Sequence, residues 1–379
     1  MSEDPVARPY IGGQAVLEGV MMRSPSSFAV ACRRADGSIS IRERPVSKKA
    51  TAATKIPIVR GMATLVESLR MGSEALRFSA ELMEKDIEAE EQSHTGKTGK
   101  TGGITNVFMA FGVMLANLVT RGDGEQASAS RDDQRGQASP MALMTIVAVA
   151  FLIALPQLCA WGASTLFGWH LEVQSPKFQL LTGAFKLIVV VGYLLLIRRV
   201  AEIRRVFQYH GAEHKTISTY EAKEELVVEN ARKKTTMHPR CGTTFLVMTV
   251  LVSILVWTAI GPLMPKFGGS AFTHQLVFFA MKLPFLPVLA GITFEIQRFT
   301  ARYCLTGPLR ALLWPGFLIQ KITTIEPDDD QLEIALASLR ATLWREKVGT
   351  DSSPPKGDSE VIEFPSYEAL VEAPGLRAA

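Results

Sequence analysis

The sequence predicts a mainly α-helical, polytopic membrane protein with a small N-terminal cytoplasmic element that combines a β-hairpin with a helix. Apolar runs occur at 143–163, 178–197, 243–264 and 273–294. Each run is close to the roughly 20 residues that a helix needs to cross a bilayer. A single run of this kind could be a buried core helix, but four runs in one chain favour membrane spans. We therefore expect about four transmembrane helices.

The positive charges indicate how these helices are oriented. The segment 198–242 carries ten Lys or Arg residues, whereas the loops 168–177 and 265–272 carry one lysine each. Cytoplasmic segments of membrane proteins hold an excess of Lys and Arg. We therefore expect a multi-pass protein of the plasma (inner) membrane with both termini in the cytoplasm. Two transmembrane hairpins, 141–197 and 243–297, would flank the cytoplasmic segment.

Residues 1–57 are predicted to form an N-terminal cytoplasmic β-hairpin region. Two alternating segments, 28–34 and 38–44, lie on either side of Asp36-Gly37, which is a strong signal for a hairpin turn. Residues 58–85 carry apolar side chains at helical spacing and predict an amphipathic helix, which would lie on the membrane surface or on the small domain.

The remaining segments are polar or only partly apolar. Residues 86–140 predict a linker with a disordered insert, and the short apolar segment 104–120 within it favours a re-entrant or interfacial helix over a span. Residues 298–346 predict an interfacial segment followed by a C-terminal helix. Residues 347–379 are rich in Pro, Gly and charge, which is typical of a disordered tail.

A histidine motif in the cytoplasmic segment is the main functional signal. His210, Glu213 and His214 follow the pattern H-x-x-E-H, in which a helix places both imidazoles on one face, where they can bind one metal ion. The glutamate is then a candidate general base. Zinc or another divalent transition metal would need a third ligand, for which His238 and Cys241 are candidates. The alternative is a solvent-facing helix with two ordinary histidines.

Four further residues are candidates for the site. Glu221 is another possible third ligand, and Glu18 and Glu295 are expected near the inner membrane face as ligands or acid/base groups. Lys186 falls in the middle of a predicted span, where an ionisable side chain is costly and suggests a function. An interhelical pair is the alternative interpretation for Lys186. Cys241 is also a candidate nucleophile.

Several longer motifs resemble the YqhQ-like family of bacterial integral membrane proteins, whose function is unknown and which are described as predicted metal-dependent enzymes. The resemblance covers roughly residues 10–340 and implies a membrane protein with a metal site. It is carried by Gly12–Val16, Glu18–Met22, Arg205–Lys215, Tyr220-Glu221, His238, Arg240–Gly242, Pro287–Gly291, Phe294-Glu295, Pro315-Gly316 and Glu326-Pro327.

Three functions from different classes fit these observations. The first is a metal-dependent hydrolase that acts on a membrane-associated substrate. The second is a non-enzymatic membrane scaffold or membrane-protein biogenesis factor with a structural His/Cys cluster. The third is a transporter or channel, which Lys186, Lys282 and Glu295 in or near the predicted spans suggest. The expected partners are membrane lipids and other membrane proteins. The net charge of +4 on 379 residues gives no signal for binding nucleic acid.

Overall fold

A computed structural model describes residues 8–46, 56–93, 140–266, 268–304, 306–348, 361–373 and 376. This part of the chain is mostly helical, with one antiparallel sheet near the N-terminus. The predicted linker beyond residue 93, the apolar segment 104–120 and the predicted insert lie outside the described residues.

The sheet has five strands in the order in which they follow one another along the chain. The predicted hairpin is confirmed as β3 and β4, and Gly37 takes a positive φ of 88° in its turn. Two strands precede it and one strand from the C-terminal tail completes the sheet. The strands are β1 Gly12–Val16, β2 Gly19–Arg23, β3 Ser27–Arg33, β4 Ile39–Pro45 and β5 Val361–Phe364.

Strand β5 corrects the prediction that residues 347–379 are disordered. Its register places Ile362 opposite Ile41 and Phe364 opposite Ile39. These two side chains of β5 are half-buried, while the alternate ones are exposed, as the two-residue repeat of a strand requires. A short helix, α11 (Tyr367–Glu372), follows β5 and buries Leu370.

Helices cover both faces of the sheet. One face packs with α10 (Asp329–Val348), which is buried in its central part, and with α4 (Ala201–Glu221) around the main hydrophobic core. The other face packs against Met71, Phe78 and Leu82 of α1 (Pro57–Ser93). Helix α1 includes the predicted amphipathic helix and continues eight residues beyond its predicted end, so the first part of the predicted linker is helical.

The first half of α1 lies along the helix that contains Gly291 and Glu295. Arg60 forms a salt bridge with Glu295 at 2.6 Å. A side chain at Gly61 would meet the backbone of Gly291 at 3.0 Å, so the two helices approach closely at this pair of glycines. Helix α1 therefore joins the sheet to α8 (Leu286–Tyr303), which belongs to the last candidate membrane span.

Among the described residues, three helical segments are long and apolar enough to cross a membrane: Pro176–Ile197, Gly242–Leu263 and Ala271–Tyr303. The first is α3, the second consists of α6 (Gly242–Ile260) and a 3-10 turn, and the third contains α7 (Ala271–Lys282) and α8. A 3-10 turn at Leu283–Phe285 separates α7 from α8, where Pro284 interrupts the α-helical hydrogen bonds. The first predicted apolar run lies in α2 (Pro140–Leu166), whose side chains are described from residue 153 onward.

The loops at one end of these helices contact each other. Glu172, between α2 and α3, pairs with Lys266, between α6 and α7, at 2.6 Å. The Gln174 side-chain amide donates a hydrogen bond to the Pro265 carbonyl at 3.0 Å. At the opposite end α3 runs into α4, and α9 (Trp314–Thr323) packs on α6 before leading into α10. The sheet and the predicted histidine site are therefore at one end of the helical bundle.

Candidate metal centre

Helix α4 places both motif histidines on one buried face, as their spacing predicts. The ring centroids of His210 and His214 are 4.5 Å apart. His214 is 1% exposed and Glu213 is 5% exposed, because His214 lies against the Thr236 carbonyl and Glu213 lies against Gly13 of β1. The histidines are therefore not the solvent-facing residues of the alternative interpretation.

Cys241 approaches this face from the start of another helix. It is the N-cap residue of α6, and its thiol sulfur accepts a hydrogen bond from the Thr243 N–H at 3.4 Å. The sulfur lies 3.1 Å from His210 Nε2. One ligand atom each from His210, His214 and Cys241 lies within 4.8 Å of the other two. Such an N₂S group has the donor types and the spacing that suit a transition metal.

The outer nitrogens of both imidazoles bind backbone carbonyl groups. His210 Nδ1 is 2.9 Å from the Thr323 carbonyl oxygen, and His214 Nδ1 contacts the Thr236 carbonyl oxygen. A carbonyl oxygen only accepts, so each Nδ1 carries a proton, and Nε2 is the nitrogen of each ring that remains to bind a metal. His214 Nε2 is buried and has no hydrogen-bond partner among the described residues. Metal-bound histidines characteristically have their second nitrogen held in this way.

Glu213 lies beside the cluster with its carboxylate against the sheet. A side chain on Gly13 of β1 would come within 2.8 Å of Glu213 Oε1. The glycine therefore provides the room that this carboxylate occupies. Burial raises the pKa of Glu213, and His210 and His214 oppose that shift. A buried carboxylate with a raised pKa next to a metal site can accept and return a proton near neutral pH.

Cys241 and His210 shift each other's pKa. Burial disfavours the thiolate, but His210 and His214 outweigh it and bring the pKa of Cys241 well below its ordinary value. Burial also acts to lower the pKa of His210, but Cys241 and Glu213 together raise it to about 9. The thiolate, which is the form that binds metal, is therefore favoured here.

His238 is close to the cluster but does not belong to the group of three ligand atoms. Its ring centroid lies 5.7 Å from that of His214, and its Nε2 is 3.4 Å from a carboxylate oxygen of Glu221. The side chain of Gln320 holds the backbone of His238. It accepts a hydrogen bond from the His238 N–H at 2.8 Å and donates one to the His238 carbonyl at 2.7 Å. Burial lowers the pKa of His238 to about 4. Of the three predicted candidates for the third ligand, the geometry brings Cys241 into the group.

The remaining predicted site residues form other contacts. Glu221 pairs with Arg240 and His238. Glu18 binds Arg205 on α4 and accepts a hydrogen bond from Tyr209 at 3.2 Å. These carboxylates therefore lie near α4 without joining the described group of ligand atoms.

Glu295 and Lys186 are part of the helical bundle. Glu295 forms the salt bridge with Arg60 described above, and the Lys186 ammonium donates to Ser253 Oγ at 3.3 Å. Neither belongs to the His/His/Cys group.

Sequence reasoning missed the groups that orient the ligands. The carbonyls of Thr236 and Thr323 carry no side-chain signal, because any residue could supply them. Thr243, whose Oγ1 lies 3.0 Å from the Cys241 sulfur, follows Cys241-Gly242 directly. Its position two residues after a candidate ligand at a helix start is the one signal in the sequence that could have identified it.

Comparison with known proteins supports the family resemblance. The uncharacterized protein YqhQ of Bacillus subtilis (strain 168) is 30% identical over 357 residues, which cover 92% of this chain and 96% of that relative. No solved structure matches the chain. The family described as "Protein of unknown function (DUF1385)" matches residues 56–345. The chain therefore belongs to the DUF1385 family, together with the YqhQ-like proteins that its motifs resemble.

Proposed function

We propose that this chain is a multi-pass protein of the plasma membrane that binds a transition metal at a cytoplasm-facing centre. Four spans, arranged as two hairpins, would hold the sheet, both termini and α4 on the cytoplasmic side. The ligands would be His210, His214 and Cys241. The observation that carries the proposal is the convergence of two imidazoles and one cysteine sulfur, with both Nδ1 groups held by backbone carbonyls.

Zinc suits this set of donors best. Imidazole and thiolate are both established zinc ligands, and three protein ligands leave a fourth position open, as in catalytic zinc sites. When bound, such an ion lowers the pKa of a water molecule and polarises a carbonyl or phosphoryl oxygen. We infer that the centre is hydrolytic.

Glu213 would serve as the proton acceptor in this reaction. Its raised pKa and its place beside both histidines support that role. The site lies where α6 enters its apolar run, so a substrate anchored in or bound to the membrane would reach it most readily. We therefore infer a membrane-associated substrate with a hydrolysable acyl or phosphoryl group.

The first test is the metal content of the detergent-purified full-length protein, measured by mass spectrometry after purification without chelators. We expect about one zinc or other transition-metal ion per chain and its loss in the His210→Ala/His214→Ala double variant. The matched control is His238→Ala, which removes a nearby histidine outside the ligand group and should retain the metal. Folded wild-type protein without metal would contradict the proposal, as would equal metal loss in the control.

The second candidate function is that of a non-enzymatic membrane scaffold or biogenesis factor in which the cluster is structural. The burial of His214 and Cys241, 1% and 5% exposed, favours it, because structural metal sites are closed. The two functions differ in whether the fourth coordination position accepts an external ligand.

Cobalt-substituted protein separates these functions without a known substrate. In the hydrolase, azide should enter the open position and shift the visible absorption of the bound cobalt. Glu213→Gln should retain both the metal and the azide response, because Glu213 is not a ligand. A cobalt spectrum that azide leaves unchanged in the wild-type protein would favour the structural role.

A further inference from the structure

Two lysine side chains lie within the apolar helices, away from the His/His/Cys cluster. Lys186 is near the middle of the 22-residue helix α3 and donates to Ser253 of α6 at 3.3 Å. Lys282 ends helix α7 and donates to the Gln157 side-chain carbonyl at 3.0 Å. At 1.5 Å of rise per residue, Lys186 is roughly 15 Å from either end of its helix.

The two ammonium groups differ in how well they are enclosed. Lys282 is 3% exposed and lies against the rings of Trp257 and Phe278, with its nitrogen 5.7 and 4.7 Å from their centroids. Lys186 is only half-buried. Its ammonium has three N–H donors, and the Ser253 hydroxyl accepts from one of them. Lys186 is therefore the less enclosed of the two lysines, and two of its N–H donors have no acceptor among the described residues.

In the part of the chain that the structure describes, no carboxylate contacts Lys186. Among the described residues neither lysine forms a salt bridge. The sequences 140–166, 176–197 and 242–263 contain no Asp or Glu, and 271–303 contains only Glu295, which is bound to Arg60. A charge in hydrocarbon is costly unless it is paired. An anion that pairs with Lys186 therefore lies outside the described residues.

The depth of Lys186 in the membrane restricts which molecules can supply that anion. The hydrocarbon core is about 30 Å thick, so lipid headgroups lie about 15 Å from its centre. A phosphate of a lipid therefore does not reach the middle of α3. A second copy of this chain would bring the same apolar sequences, which hold no carboxylate at that depth.

The packing of α3 indicates where a partner would lie. The outer half of the helix buries Phe178, Gln179, Thr182 and Gly183, whereas the described chain buries no residue from 184 to 197. Lys186 stands at this boundary. Val190 and Tyr193 lie one and two turns after Lys186 on the same face of the helix. Tyr193 is 39% exposed.

We propose that this face of α3 docks a transmembrane helix of a different membrane protein, and that an Asp or Glu near the middle of that helix pairs with Lys186. The inference rests on α3 crossing the membrane, as in the proposed function.

The test is photocrosslinking in native membranes with the full-length chain. A photoreactive phenylalanine at Val190 or Tyr193 should crosslink to a transmembrane segment that contains Asp or Glu, identified by mass spectrometry. Lys186→Leu should lower the yield on the order of tenfold, since one desolvated ion pair contributes more than about 1.4 kcal/mol. Lys186→Arg, which keeps the charge, should preserve the product. The same probe at Ile188, on the opposite face, should give no product that depends on Lys186.

Reversing the charges provides the decisive control. Lys186→Glu should abolish the crosslink. Combining Lys186→Glu with a lysine in place of the partner's Asp or Glu should restore it. Crosslinks only to lipid, to a second copy of this chain or to a helix without a carboxylate would overturn the inference. Metal content and resistance to carbonate extraction should be unchanged in Lys186→Leu. If the wild-type chain were extracted by carbonate, the proposed membrane topology would fail as well, and that outcome is distinct from a failure of docking alone.

Discussion

At the scale of single residues, the position of His210 depends on a glycine. Gly211 of α4 lies directly beside the Ile325 carbonyl in the linker between α9 and α10, where a side chain on it would be far inside van der Waals contact. The Ile325 N–H donates to the Phe207 carbonyl at 3.0 Å. The same linker begins next to Thr323, whose carbonyl holds His210 Nδ1. The close approach at Gly211 therefore fixes the orientation of a ligand.

We predict that Gly211→Ala weakens metal binding about 10–100-fold, because the added methyl group pushes the linker and the Thr323 carbonyl away from α4. Backbone atoms cannot move aside as a flexible side chain can, so the substitution should also cost about 1–3 kcal/mol in stability. Competition with a chelator of known affinity measures the effect.

Gly192→Ala is the matched control for this substitution. Gly192 is also a helical glycine, but nothing lies within 4 Å of a side chain built there. Alanine favours helix over glycine by about 1 kcal/mol, so the control should keep its metal affinity. Equal affinities of wild type and Gly211→Ala would show that the linker does not orient His210.

The sequence predicts part of the metal centre because part of it is local. The i, i+4 spacing of His210 and His214 settles their common face once α4 is helical. The choice between His238 and Cys241 is not local, since it depends on how α6 meets α4. Both residues lie in the same short segment before α6, and only the packing shows that the sulfur points at His210 while the imidazole faces Glu221.

At the scale of elements, hairpins are predictable where their turn chemistry is plain. Asp36-Gly37 marks the turn between β3 and β4, and this hairpin is confirmed. The turn between β1 and β2 consists of Leu17 and Glu18, and Glu18 adopts a positive φ of 49°. A non-glycine residue rarely adopts this conformation. Its bonds to Arg205 and Tyr209 hold it there, and those partners are distant in sequence.

The last strand and the first helix show two other limits of local prediction. Strand β5 has four residues within a polar tail, and its partner β4 lies more than 300 residues away, so no local pattern indicates the pairing. In α1 the acidic residues 86–93 resemble a linker by charge, although Glu and Ala favour a helix. The two predicted positions of the amphipathic helix were membrane surface and small domain. In the structure, one part of α1 contacts the sheet and another part contacts α8.

At the scale of the whole molecule, the sheet constrains how many times the chain crosses the membrane. Strands β4 and β5 are paired, so the segments that contain them lie on the same side. Helix α4 also contacts β1 and β2, and it therefore lies on that side too. The number of crossings between β4 and α4 must then be even, and the number between α4 and β5 must also be even.

This parity favours four spans. Between α4 and β5 the two candidate spans Gly242–Leu263 and Ala271–Tyr303 satisfy it. Between β4 and α4 the candidate span is α3, so one more crossing is required, and α2 has the length and the apolar composition to provide it. The contact between Glu172 and Lys266 agrees with a common outer side for the two loops.

We therefore predict that full-length chains with a reporter inserted after Gly168 or Gly268 place that reporter outside the cytoplasm. Alkaline phosphatase, which is active only outside, should be active at both positions, and green fluorescent protein should not fluoresce there. The opposite pattern is expected after Lys223 and at the C-terminus, since α4 and β5 share the side of the sheet. Active phosphatase at Gly268 together with inactive phosphatase at Gly168 would mean that α2 and α3 do not form a crossing pair. Strand β4 and α4 would then lie on the same side although α2 and α3 do not cross the membrane as a pair. Of the two hairpins in the proposed topology, only the second would remain.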